Sequence, residues 1–204
     1  MQYEPKLIPF ATPLIGISDK TIAIHHDKLY VGYVNKMKEI ADKLVELSKS
    51  PEALAAANQS YSELRALRDG ETFATNGVYL HEHYFNVLGG DGAPSGSLAD
   101  AISEQYGSVD ALIALVSATG MAMRGWVVLA WDTHLARLKI YGADAHNQGG
   151  VWGAIPLIVL DVYEHAYFID YGADRKAYIS DFWKNLNWAA ATAVYDKAKL
   201  INLS

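Results

Sequence analysis

The chain has 204 residues, 51% of them hydrophobic and 20% charged, which suits one large unit or two small ones sharing a core and argues against disorder. Its formal net charge of -6 gives no basic footprint, so no nucleic-acid partner is expected, and an anionic substrate would be drawn only by a local positive field. There is no cysteine, which excludes disulfides, thiolate metal sites and cysteine nucleophiles; any metal has to be held by histidine nitrogen and carboxylate oxygen.

Residues 1–18, with Pro5, Pro9 and Pro13, read as an extended arm. The arm lacks the basic start and continuous apolar stretch of a signal peptide, and apolar runs such as 155–160 are too short to cross a bilayer. No membrane partner is therefore expected, and the lack of cysteine agrees with a cytoplasmic location. Ser18 is placed to cap a helix whose first residue, Asp19, suits the positive end of its dipole. Ile22, Leu29, Val34, Met37, Ile40, Leu44 and Leu47 then recur at helical spacing, predicting a helix over 19–49. Ser50-Pro51 ends it, and a second helix is expected over 52–88, with a weak point at Gly70. The two form an antiparallel hairpin.

Gly89-Gly90-Asp91-Gly92-Ala93-Pro94 reads as a connection between a helical hairpin domain, 1–89, and an α/β domain, 90–204. In the second unit, 97–104 and 108–123 read as helices, the latter capped by Ser108. Strands are expected at 125–132 and 136–142, around a turn at Asp132-Thr133-His134, and at 155–161 as a buried strand. The tail, 174–199, returns to helix. The fold class expected is α+β: an N-terminal antiparallel helical hairpin followed by a three-stranded antiparallel sheet packed with helices.

The seven histidines are at 25, 26, 81, 83, 134, 146 and 165. Taken singly, a histidine is most often a satisfied core or surface residue. Asp161, however, closes the apolar strand IPLIVL, where an unpartnered charge would be costly. His165 follows four residues later, close enough for a turn to bring the two groups to one point. His25 and His81 lie on the two arms of the helical hairpin, which can bring them face to face. Three nitrogens and one carboxylate oxygen would suit zinc, iron or manganese. His134, in a turn, reads as surface.

Asp161-Val162-Tyr163-Glu164-His165-Ala166-Tyr167 resembles the D-x-[aromatic]-E-H-A-Y signature of the iron/manganese superoxide dismutase family, in which the Asp and the His bind the metal. Two further segments extend the likeness along nearly the whole chain. HHDKLYVGYVN, starting at His25, resembles the family's first-helix segment, and NGVYLH, ending at His81, its second. The resemblance implies a single iron or manganese ion, iron favoured, bound by His25, His81, Asp161 and His165, with His26 and His83 as non-ligands. It implies that superoxide is disproportionated to dioxygen and hydrogen peroxide. Tyr33 would guard the entrance and, with His146, control the proton. Trp126 and Tyr163 would wall the pocket. His146 together with Gly77 is the combination that favours iron. Lys28 and Arg175 would supply a positive field at the entrance. Glu164 would reach across a homodimer, alone or within a dimer of dimers, to orient His165 of the other copy.

The sequence also departs from the family. Leu29 stands where a His is usual, Phe168 where a Tyr is usual, and Tyr163 where Trp is commoner. Removing one member of a polar pair would strand the other; removing both leaves an apolar contact, so Leu29 and Phe168 are expected to meet across the dimer interface. Two other functions fit the residues less fully. A non-haem iron oxygenase would use two histidines and one carboxylate, and the third histidine argues against it. A metalloprotein of the same fold with little or no dismutase activity is the reading that the three departures favour.

Overall fold

The computed structural model describes residues 3–11 and 13–203; residues 1, 2 and 12 of the expected arm lie outside that description. Helix α1, Asp19–Ile24, opens at Ser18, whose hydroxyl accepts from Thr21 N at 3.2 Å. The chain then passes through a π-helical segment, His25–Tyr30, into α2, Val31–Leu47. The expected helix over 19–49 is thus continuous but carries a wide turn in its middle. Such turns are rare and are frequently found at functional sites. Here the turn buries His25, His26 and Tyr30 together.

The second arm corrects the expectation of one helix over 52–88. A short helix α3, Pro51–Ala55, is capped by Ser50, and α4 runs from Glu63 to Asn86. Asn58 causes the break: its Oδ1 accepts from Ser60 N at 3.0 Å and Tyr61 N at 2.8 Å, and its amide donates to Tyr61 O at 2.6 Å. A side chain that satisfies local backbone groups competes with the helix. Ser62 then caps α4. Gly70 lies inside α4, not at a break; a Cβ there would come 3.2 Å from Ile40 Cδ1, so the glycine permits close approach of α2 and α4.

Helices α5, Gly96–Tyr106, and α6, Val109–Ala122, precede the sheet, with Ser108 capping α6 as expected. Strands β1, Trp126–Asp132, β2, Arg137–Ala143, and β3, Ala154–Asp161, form an antiparallel sheet in the order β2-β1-β3. Asp132 Oδ1 accepts from His134 N and Leu135 N, both at 3.0 Å, which closes the β1–β2 turn. The register pairs Trp126 with both Ala143 and Asp161. It shifts between Leu129 and Ala130, opposite Pro156, a residue with no N–H to offer the ladder.

After β3 come a 3₁₀ turn, Glu164–Ala166, and helices α7, Phe168–Tyr171, α8, Arg175–Lys184, and α9, Trp188–Ala198. The expected tail helix is therefore broken at 185–187. Asn185 leaves the helix to serve a residue 170 positions away: its Oδ1 accepts from Ile15 N and its amide donates to Ile15 O, both at 2.8 Å. Asn187 N bonds Val87 O at 2.8 Å, and Gly90 N bonds Asn185 O at 3.0 Å. These bonds tie the end of the hairpin to the C-terminal helices. One continuous buried cluster joins Leu14, Val34 and Val78 of the first half to Leu129, Leu160 and Phe182 of the second. The molecule is α+β, a helical hairpin with a three-stranded antiparallel sheet and helices.

Candidate metal centre

Four elements converge within this shared core. The π turn carries His25, α4 carries His81, the last residue of β3 is Asp161, and the 3₁₀ turn carries His165. One ligand-type atom from each lies within 4.8 Å of every other. Asp161 Oδ2 is the meeting point: it lies 3.1 Å from His25 Nε2, 3.1 Å from His165 Nε2 and 3.8 Å from His81 Nε2. The side chains of His25, His81 and Asp161 are wholly buried, whereas that of His165 keeps 24% exposure. The cluster is thus sealed on the hairpin side and approached beside His165.

Its electrostatics call for a cation. His81 Nδ1 donates to the carbonyl of Gly77, one helical turn back, at 2.5 Å, so the Nε2 lone pair faces the cluster. That Nε2 is buried and without a hydrogen-bond partner, as is His25 Nδ1. Leaving such a group unpaired costs roughly 1–3 kcal/mol. Burial holds His25 and His81 below the usual imidazole range and therefore neutral. Burial would raise the Asp161 carboxyl, but His165 and His25 beside it outweigh that and hold it low, as a carboxylate. Desolvation would lower His165, but Asp161 beside it outweighs that and raises it, so a bound cation would take the place of a proton there. Three imidazoles and one carboxylate, once deprotonated at the converging atoms, fit iron, manganese or zinc. The carboxylate is fixed on its other side, where Oδ1 accepts from Tyr163 N at 2.9 Å.

The expected outer residues gather around this core. Trp126 packs edge-on to His81, with ring centres 5.0 Å apart, and its indole N–H donates to His146 Nδ1 at 2.9 Å. An indole N–H can only donate, so His146 Nδ1 carries a lone pair and the ring's proton sits on Nε2. Burial pushes this imidazole down to about 4, so it is neutral. Tyr33 lies edge-on to His146 at 4.7 Å and over His81 at 5.4 Å. A Cβ at Gly77 would come 2.9 Å from Tyr33 Cγ and Cδ1, so the absence of a side chain there lets Tyr33 settle onto α4. Tyr163 stacks on His165 at 5.1 Å.

Other expected residues lie apart. His26 binds Lys6 O at 2.8 Å and Asp27, His83 is half-buried beside Glu82, and His134 is exposed; none joins the cluster. Lys28 is exposed. Arg175, expected to supply field at the entrance, donates to Met123 O at 2.7 Å and Gly120 O at 3.3 Å, at the C-terminal end of α6, and to Tyr167 Oη at 3.1 Å. Glu164 is exposed, Leu29 is half-buried and Phe168 is 56% exposed. Three aromatic residues to which the sequence assigns no role also touch the site. Tyr84 and Phe85 pack on His25 with ring centres at 5.0 and 5.2 Å, and Phe73 on His146 at 4.6 Å. The first two follow His81 by three and four residues, a helical spacing that puts all three on one face.

Replacing a converging nitrogen should abolish metal retention, and replacing a nearby histidine outside the cluster should not. His81→Ala is expected to lose bound iron or manganese after dialysis against a weak chelator, and His83→Ala to keep the wild-type amount, both measured by elemental analysis. Equal retention by the two variants would contradict the assignment.

Comparison with known proteins gives the family of the chain. Residues 94–194 match a family model described as iron/manganese superoxide dismutases, C-terminal domain. A protein named superoxide dismutase [Fe] from Aquifex pyrophilus is 45% identical over 197 residues, covering 96% of this chain and 92% of that protein. Another of that name from Aquifex aeolicus is 44% identical over 187 residues, covering 91% and 87%. One named superoxide dismutase [Mn] 1 from Halobacterium salinarum is 33% identical over 202 residues, covering 97% and 96%. Likeness of this extent, over nearly the whole length of both partners, makes the chain a member of the iron/manganese superoxide dismutase family.

Proposed function

We propose that this protein is a superoxide dismutase working at a single ion held by His25, His81, Asp161 and His165, with superoxide as substrate and iron favoured over manganese. The observation that carries the reading is the convergence of three imidazole Nε2 atoms on one buried carboxylate oxygen. Iron is supported by the names of the Aquifex relatives and by the pairing of His146 with Gly77; manganese remains the alternative, as in the Halobacterium relative. When bound, such an ion supplies a one-electron couple, through which one superoxide leaves as dioxygen and a second, with that electron and two protons, becomes hydrogen peroxide.

The protein's own contribution is positioning, exclusion of water and custody of the proton. Asp161, locked by Tyr163 N, gives the centre one fixed negative charge. Trp126, Tyr84 and Phe85 wall the buried side with apolar surface and keep bulk water from the ligands. Trp126 also fixes the tautomer of His146, so that this ring presents Nε2–H as a donor. Tyr33, resting on the same ring, is the second group able to hold and pass a proton. These outer contacts set how readily the centre gains and loses its electron.

Assembly is part of this reading. The chain divides into a hairpin domain and an α/β domain with the site between them, and it acts as a homodimer in the cytoplasm. Phe168 and Ile169 are 56% and 43% exposed in the single chain, beside the exposed Glu164, an apolar patch that a second copy would cover. Across a two-fold axis, Leu29 meets Phe168 of the other copy, and Glu164 receives the free ring N–H of the opposing His165.

Iron-loaded protein should suppress cytochrome c reduction by xanthine oxidase, and Asp161→Ala should not; a loaded wild-type protein without effect would remove the dismutase reading. His146→Leu should retain its metal while losing roughly a hundredfold in turnover, the scale expected for a lost proton-transfer group. Phe168→Glu should shift sedimentation from dimer to monomer, and an unchanged dimer would exclude the proposed Leu29–Phe168 contact.

A further inference from the structure

Packed against His25, apart from Tyr33 and His146, lies a set of tyrosines whose hydroxyl groups the proposed reaction does not use. Tyr84 packs on His25 with ring centres 5.0 Å apart. Its Oη lies 3.3 Å from Oη of Tyr178, which also bonds the carbonyl of Asp161 at 2.7 Å. Both rings are fully buried. The Tyr178 ring meets Tyr167 at 5.3 Å and Tyr171 at 5.8 Å. The half-buried Tyr171 donates its hydroxyl to Asp181 Oδ2 at 2.8 Å.

We infer that Tyr84, Tyr178 and Tyr171 form a relay that carries oxidising equivalents from the metal centre to the surface, ending at the Tyr171–Asp181 pair. The inference rests on the dismutase reading, because the oxidant is the product peroxide. With iron bound and reduced, the centre would supply one electron to hydrogen peroxide, giving hydroxide and hydroxyl radical. The radical takes an electron that passes inward along the relay, becomes a second hydroxide and is protonated by solvent to water. Tyr171 supplies that electron and gives its phenolic proton to Asp181, leaving a neutral tyrosyl radical near solvent and a protonated carboxyl.

The chemistry of each position explains the direction. Electron tunnelling falls steeply with distance, so several short steps through oxidisable rings outrun one long step. A phenol is easily oxidised only where its proton has somewhere to go. Tyr178 faces a backbone carbonyl, which is a poor base, so the buried pair serves as a relay and not as an endpoint. Tyr167 sits under the Arg175 guanidinium, 5.6 Å from the ring centre, where a positive hole is disfavoured. Tyr171 alone of the rings meeting Tyr178 has a carboxylate to receive its proton. Two other routes from His25 meet phenylalanine, which is far harder to oxidise: Phe182 stands between Tyr84 and Trp183, and Phe85 between His25 and the Glu82-bonded Tyr30.

The test treats the iron-loaded protein with hydrogen peroxide and a nitroso spin trap, then maps adducts by peptide mass spectrometry and records the organic-radical EPR signal after freeze-quenching. Wild-type protein should carry the adduct on Tyr171. Asp181→Asn, which keeps a hydrogen-bond acceptor but removes the base, should lose that adduct without losing dismutase activity, and Tyr178→Phe should lose it together with the tyrosyl signal. Labelling of Tyr171 in metal-free protein, undiminished labelling in Asp181→Asn, or no labelling of Tyr171 in the wild type would each overturn the relay. Dismutase activity measured on the same samples separates the two readings: active protein without the Tyr171 adduct sinks the relay alone, and inactive protein sinks the function.

Discussion

Everything in this molecule is arranged around one buried carboxylate oxygen, Asp161 Oδ2, with three imidazole nitrogens pressed towards it. Such a cluster is an unfavourable thing to bury. Two of its rings are held neutral by the loss of water, and each leaves a ring nitrogen without a partner. A cation bound there would supply the missing charge, and its binding free energy would become folding free energy.

The constraints that deliver the four groups are local and separable. In α4, the bond from His81 to the carbonyl of Gly77 aims one lone pair. In the first helix, the wide π turn swings His25 inward while the helix continues into α2. In the sheet, the register sets Trp126 opposite Asp161, so one pairing decides both the carboxylate's position and that of the indole that orients His146. A slip of one residue between β1 and β3 would put the two side chains on opposite faces and dissolve the site. The proposed metal centre and the residues proposed to tune it therefore share one structural cause.

Much of this was legible in the chain. The strand IPLIVL with an acid at its end, and histidines on the two arms of a hairpin, marked the site; the DVYEHAY segment and its companions named the family. Strand limits and the Ser18 and Ser108 caps followed from alternation and capping chemistry. What escaped was decided at a distance or by side-chain competition. Asn58 broke the second arm through bonds to its own backbone neighbourhood, a capacity that apolar periodicity does not register. Asn185 ended a tail helix to serve Ile15, and Arg175 was recruited by the carbonyls at the end of α6. Phe73, Tyr84 and Phe85 carry no site role in the sequence reading; only the fold shows them touching histidines.

The account is tested most directly by X-ray absorption spectroscopy of the iron-reconstituted protein. It predicts a first shell of nitrogen and oxygen carrying the outer-shell scattering of three imidazole rings, reduced to two in His81→Ala under conditions of excess iron. A spectrum with fewer than three imidazoles in the wild type, or one that the substitution leaves unchanged, would contradict convergence of these side chains on one ion.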